Sequence, residues 1–212
     1  MRPRRGTASD SARRAVRTSV RRGRQHGPVQ TVEHPRRPLR LEGGELVSHP
    51  GARGADCVVW FPVPDAQEGA PEAEGIPARR LDGDRARLCG IPFFPYHAGF
   101  GDEVQIRELD GTIYAVEVVV ATSDLVVRVF DEVSGLVDLE TAMADPGADE
   151  PFWRMARALA PHGCWFERYT TNYAALLVPA DEWEYVRPFL ELKARVENIG
   201  WELATPMRTA HD

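Results

Sequence analysis

From Cys57 onward the chain alternates apolar and polar positions in short runs, whereas residues 1–50 show neither a period of two nor one of 3.6. "CVVWFPVP", from Cys57, predicts a short apolar strand. The next twenty residues, "DAQEGAPEAEGIPARRLDGD", are rich in Gly, Pro, Glu and Ala without an apolar pattern and predict a loop. In "RARLCGI" Ala86, Leu88 and Gly90 alternate with Arg85, Arg87 and Cys89, which predicts a second strand. "IPFFPYHAGFG" follows, and its prolines, Pro92 and Pro95, fix φ and remove two backbone donors. It predicts an extended crossing anchored by Phe93, Phe94, Tyr96 and Phe100. Val104 and Ile106 then mark a strand, and Asp110-Gly111 predicts a two-residue hairpin, because both central positions of a type I′ turn need positive φ. "TIYAVEVVVA" and "LVVRVFDE" complete about five strands between Cys57 and Glu132, enough for a small sheet or partly closed barrel.

The period changes near residue 149. Pro151 suits a first helical position behind an acidic cap, and Phe152, Met155 and Leu159 share one face. Pro161 and Gly163 stop that helix, and "CWFERYT" and "YAALLVPA" predict two strands meeting through "TN". "DEWE", from Asp181 to Glu184, has capping-box spacing. Tyr185, Phe189, Leu192, Val196 and Ile199 predict the buried face of a second helix, kinked or restarted near Arg187 by Pro188 and ended by Gly200. "WELAT" predicts a last strand. The expected fold class is α+β. It comprises a β-barrel-like subdomain at 56–132 and a C-terminal αββαβ layer of ferredoxin-like, split type at 149–206. A disordered Arg-rich arm at 1–50, too poor in large apolar residues to offset its chain entropy, precedes both.

Charge sharpens this division. Residues 1–40 hold twelve arginines against Asp10 and Glu33, a net +10; residues 41–212 hold fourteen basic against thirty acidic residues, a net −16. Of the 212 residues 43% are hydrophobic, and the longest apolar stretch, Tyr114 to Ala121, is interrupted by Glu117, so no membrane span is expected. The arginines at the amino terminus have no apolar h-region behind them, so a secretory or twin-arginine signal is not expected and the location reads as cytoplasmic. Cys57, Cys89 and Cys164 form no CxxC pair, which reads as three buried thiols in a reducing compartment.

The phrases "GIPFFPYHAGFGDEV", "ATSDLVVRVF", "HGCWFER" and "LLVPADE" resemble those of a bacterial family known as domain of unknown function 4265, over roughly residues 56–205. Gly90 stands where that family often carries Asn. Asp124 stands where Gly usually follows Ser123, which bears on the turn between the two flanking strands. The resemblance implies a fold and a bacterial, cytoplasmic setting, and it brings no activity.

Candidate chemistry is sparse. Cys164 as nucleophile, His97 as base and Asp102 as its orienter can be drawn as a triad, but a triad is defined by geometry. The structural reading of Asp102, accepting backbone N–H groups to fix the strand at Val104, is the stronger. Arg128 on a strand's polar face is expected to pair with Asp102 or Glu117, and Arg128, Tyr96 and Trp183 are the candidate binding side chains. No metal site is expected, since "LDGD" lacks the remaining positions of a calcium loop, and no cofactor, since phosphate-cradling glycine motifs are missing. The expected function is a non-catalytic, protein-interaction or regulatory module, immunity-like in charge, whose acidic body favours a basic protein partner. The alternatives are nucleic-acid binding through the arm, itself either functional or an extension upstream of the native start, and a small Cys/His hydrolase.

Overall fold

The computed structural model describes residues 31–34, 37–63, 71–131, 143–147 and 150–205. Its strands begin with β1 (Thr31–Glu33), β2 (Leu39–Glu42), β3 (Glu45–Ser48), β4 (Cys57–Pro62), β5 (Ala73–Arg80) and β6 (Arg85–Leu88). They continue with β7 (Glu103–Leu109), β8 (Thr112–Val120) and β9 (Leu125–Asp131). Helix α1 (Pro151–Leu159), β10 (Trp165–Thr170), β11 (Tyr173–Val178), helix α2 (Trp183–Val196) and β12 (Ile199–Leu203) follow.

Five strands, in the order β5-β4-β8-β7-β6, close into a barrel through β5–β6 pairing, and β1 adds parallel to β5. Val59, Ile76, Leu88, Val104 and Ile113 fill the barrel. Asp110 (φ 51°) and Gly111 (φ 77°) make the expected two-residue turn between β7 and β8. The second sheet runs β12-β9-β11-β10-β2-β3, with neighbours antiparallel. Its strand β9 is buried on both faces. Leu125, Val127 and Val129 pack with Trp153, Leu159 and Leu190 of the helices, while Val126 packs with Phe93 and Phe100 of the crossing. Continuous apolar runs are what such doubly covered strands require. The architecture is α+β, as expected.

Several expectations change. Regular structure precedes Asp56, where the sequence predicts a disordered arm: β1 extends the barrel sheet, and β2 and β3 extend the second sheet beyond β10. The tertiary partner supplies apolar burial that the segment lacks by itself, Leu41 joining the helix-side core. Residues 1–30 of the expected arm lie outside the described residues. The "loop" after β4 contains β5, whose Glu74, Ile76 and Ala78 point inward. Pro77 is tolerated because it falls between Ala73–Gly75, which pair with β1, and Ala78–Arg80, which pair with β6.

Helix α2 buries Trp183, Val186 and Leu190, leaving Tyr185, Leu192 and Val196 exposed, so the sequence offered two apolar stripes and the sheet took the other one. The helix runs unbroken past Pro188, which is solvent-exposed, where water can serve the carbonyl the proline leaves unbonded. Asn198, in the left-handed region (φ 55°), follows the cap of α2; Gly200 instead lies in β12, where a Cβ would sit 2.1 Å from the Phe130 ring. Neither expected acidic cap forms: Glu150 makes no side-chain cap bond and accepts from Arg168 instead, and Asp181 falls within a 3-10 turn, Ala180–Glu182, that runs straight into α2 without a side-chain cap bond. Asp124 is outside the left-handed region, so its turn does not require glycine.

Candidate binding site

Residues 89–101 leave the barrel and return to it, pinned at the neck by Leu88 N–H to Asp102 O (2.9 Å) and Gly101 N–H to Leu88 O (2.9 Å). The excursion lies against the second sheet, with Phe93 in the core it shares with Val126, Ala175 and Leu177. An irregular buried segment must find partners for its backbone donors. Here two carboxylates supply them: Ile91 N–H donates to Glu167 (2.8 Å), and Phe93 and Phe94 N–H donate to Glu74 (2.9 and 2.8 Å). His34 lies between the two acids, Nε2 facing Glu74 Oε1 at 2.6 Å and Nδ1 facing Glu167 Oε1, and all three side chains are fully buried. A Cβ on residue 90 would lie 2.8 Å from His34 Nδ1, so Gly90 makes room for the ring.

Burial opposes charge on His34, but Glu167 and then Glu74 outweigh it and raise its pKa to about 10. Burial pushes Glu167 up as well, against the His34 charge. This trio ties β1, β5, the crossing and β10 together. Its acceptor atoms are taken by the backbone and the imidazolium, and among the described residues no cluster is placed to hold a metal. It clamps the fold and offers no surface to a substrate.

The crossing also walls a groove of about 560 Å³. Phe61, Pro62 and Val63 form one side, Ala115–Val118 of β8 the other, and Phe94–Ala98 the third. The groove exists because β4 and β8 pair in parallel only at Val59↔Ile113 and Trp60↔Tyr114, after which β4 follows β5 as far as Pro62↔Ala73. Register shifts against β7 between Glu103 and Val104 and between Gln105 and Ile106 make room in β8 for the extra residues Val119 and Val116. These bulges break the alternation: Ile113, Ala115 and Val118 turn to the barrel interior, while Tyr114, Val116, Val119 and Val120 are exposed. Tyr96, 55% exposed, lines the groove together with Val116. Its ring lies under Arg128, 4.2 Å from the centroid, and its hydroxyl bonds Glu202 (3.2 Å).

A sequence profile of the domain of unknown function (DUF4265) matches residues 74–201. The chain belongs to the DUF4265 family. A hypothetical protein from Neisseria gonorrhoeae, described as a novel crystal structure, resembles this DUF4265 chain at a TM-score of 0.54 and 12% identity. The match covers 70% of this chain and 94% of that one and is a likeness of fold. Among curated proteins there is no match.

In this DUF4265 member the drawn triad does not assemble. Cys164 belongs to the core between sheet and helices, whereas His97 lines the groove and donates its backbone N–H to Ala204 O (3.3 Å) on the sheet's other side. Burial pushes the Cys164 thiol up to about 12, which keeps it protonated and inert. Asp102, fully buried, accepts from Gly99 N–H (2.8 Å) and Thr122 N–H (2.7 Å), holding the start of β7. Arg128 pairs with neither Asp102 nor Glu117. It donates to Glu202 (2.9 Å) and Pro95 O (2.8 Å), because β12 lies beside β9. Trp183 is a core residue, edge-on to Trp201 at 6.0 Å. Of the three candidate binding side chains only Tyr96 reaches an open surface. His34, Glu74 and Glu167 escaped the sequence reading, although Glu167 between Trp165 and Tyr169 on one strand face was a visible signal.

A second cavity, about 630 Å³, lies between the β2–β3 turn and the end of α1 and includes Arg40 and Arg157. Both cations are engaged there, Arg40 by Glu42 and the Trp165 ring, Arg157 by Pro146 O.

Proposed function

We propose that this protein is a non-catalytic interaction module of regulatory or immunity type, acting in the bacterial cytoplasm on a basic protein partner received at the β8 groove. The reading is carried by the groove, where Phe61, Phe94, Val116 and the Tyr96 ring line an open apolar surface beside the Glu117 carboxylate, with Tyr114, Val119 and Val120 exposed on the same strand β8. Contiguous exposed apolar surface with a polar rim is characteristic of partner contacts. The net −16 of residues 41–212 favours a positive partner and disfavours nucleic acid on this body. Three free thiols, Cys57, Cys89 and Cys164, support a reducing compartment, and among the described residues no helix is long and apolar enough to cross a membrane. We read β9-α1-β10-β11-α2-β12 as a ferredoxin-like layer, supported by its strand order β12-β9-β11-β10.

The test is capture from the native host with the wild type and with a Val116→Glu/Val119→Glu variant, followed by titration of the purified partner. A basic protein is expected, weakened about tenfold or more by the substitutions and weakened further by salt. Identical capture by both forms, or recovery of RNA alone, overturns the reading.

A further inference from the structure

We infer that the open edge of β8 from Ala115 to Val118 receives an extended, basic segment of the partner protein, which pairs with it as an added strand. This rests on the interaction-module reading above and specifies how the partner is held.

A strand has two hydrogen-bonding edges. One edge of β8 is occupied along its whole length by β7, from Glu103↔Val120 to Leu109↔Thr112. The other is paired only at Ile113 and Tyr114, and beyond them it borders the groove. On the far side of the groove Pro62 has no N–H to offer, and β4 has already turned away with β5. Alternate residues of Ala115–Val118 therefore face the groove with backbone donors and acceptors that no strand among the described residues pairs. An edge of this kind is a template for a further strand, and soluble proteins normally cover or blunt one. A guest of about four residues, at about 3.3 Å each, spans it.

The walls select the guest. Side chains of an added strand on its barrel-facing side would meet Phe61, Ala115 and Val118, which pack against the barrel core. The intervening side chains would face outward beside Val116 and the exposed Glu117 carboxylate, and the groove lining contains no Arg or Lys. Alternating apolar and basic residues fit both. A second copy of the chain fits poorly: its segment Ala115–Val118 would bring a further carboxylate, Glu117, and no Arg or Lys to the groove.

The probe is an acetylated peptide, Arg-Val-Arg-Val-Arg-Val-Arg amide, added to the full chain. Binding is followed by fluorescence anisotropy, and hydrogen exchange is measured across β8. The expected result is saturable binding with about tenfold slower exchange confined to amides within Ala115–Val118. N-methylating alternate peptide nitrogens on one edge should weaken binding at least about tenfold, as should replacing Arg by Glu. The N-methyl comparison needs no protein variant and survives any misfolding of one. No binding of the Arg-Val peptide, or equal binding of its N-methylated or Glu forms, overturns strand addition. If the host partner is meanwhile still lost on Val116→Glu/Val119→Glu, the interaction module stands without this mode of holding. Concentration-dependent dimerisation through β8 overturns the inference in favour of a second copy. A chain lacking residues 1–30 that binds the peptide more than about tenfold tighter than the full chain overturns it in favour of the chain's own arginines.

Discussion

His34 shows how one side chain can hold several elements. With carboxylates on both ring nitrogens it stays protonated, its pKa raised to about 10. A histidine raised in the folded state contributes fully below its unfolded pKa of 6.5 and loses that contribution as pH climbs through the folded value. Glu167, pushed up by burial, acts in the same direction. Urea unfolding is therefore expected to show His34→Gln less stable than wild type by about 3 kcal/mol near pH 6.5, since two buried acids lose their counter-charge. The gap should narrow steadily towards pH 10; a pH-independent gap would mean that the imidazole matters only for its shape. Gly200 makes a steric case. Gly200→Ala drives a methyl into Phe130 and is expected to cost about 1–3 kcal/mol, with Phe130→Leu recovering part of it in a double-mutant cycle.

At the scale of elements, β1–β3 belong to the folded body although their sequence reads as an arm. β2 pairs with β10 and β1 with β5, and β1 leads directly into His34. Removing residues 1–30 should leave the melting temperature nearly unchanged. Removing residues 1–48 should lower stability by at least about 3 kcal/mol and promote aggregation, because it takes the His34 counter-charge from a buried acid pair and bares the edge of β10. Circular dichroism melts and light scattering of the two truncations distinguish these outcomes. β5 and α2 show the limits of local reading. The Gly and Pro of β5 look like loop until three neighbouring strands account for them, and α2 has two apolar stripes between which only the sheet can choose.

On the scale of the molecule, barrel and second sheet are joined by more than a linker. The crossing packs on the sheet, β9 follows directly from barrel strand β8, and Glu74 and Glu167 approach one histidine from opposite bodies. Calorimetry should accordingly show one cooperative transition, its van't Hoff and calorimetric enthalpies agreeing. Two separate transitions would mean that the interface contributes little.

What local sequence determined was whatever depends on near neighbours. Val104 and Ile106 alternate in β7, Asp110-Gly111 turns with positive φ at both positions, Pro151 starts α1 and Gly163 ends the turn after it. Tertiary structure alone decided which apolar stripe of α2 is buried and where Arg128 finds its counter-ion. It also decided that Val116 and Val119 bulge outward, and that an unremarked histidine meets acids 40 and 133 residues away. Alternation and turn chemistry are short-range and can be read in a window of residues. Charge pairing, bulging and burial depend on which distant segment arrives alongside, and that information is distributed over the whole chain.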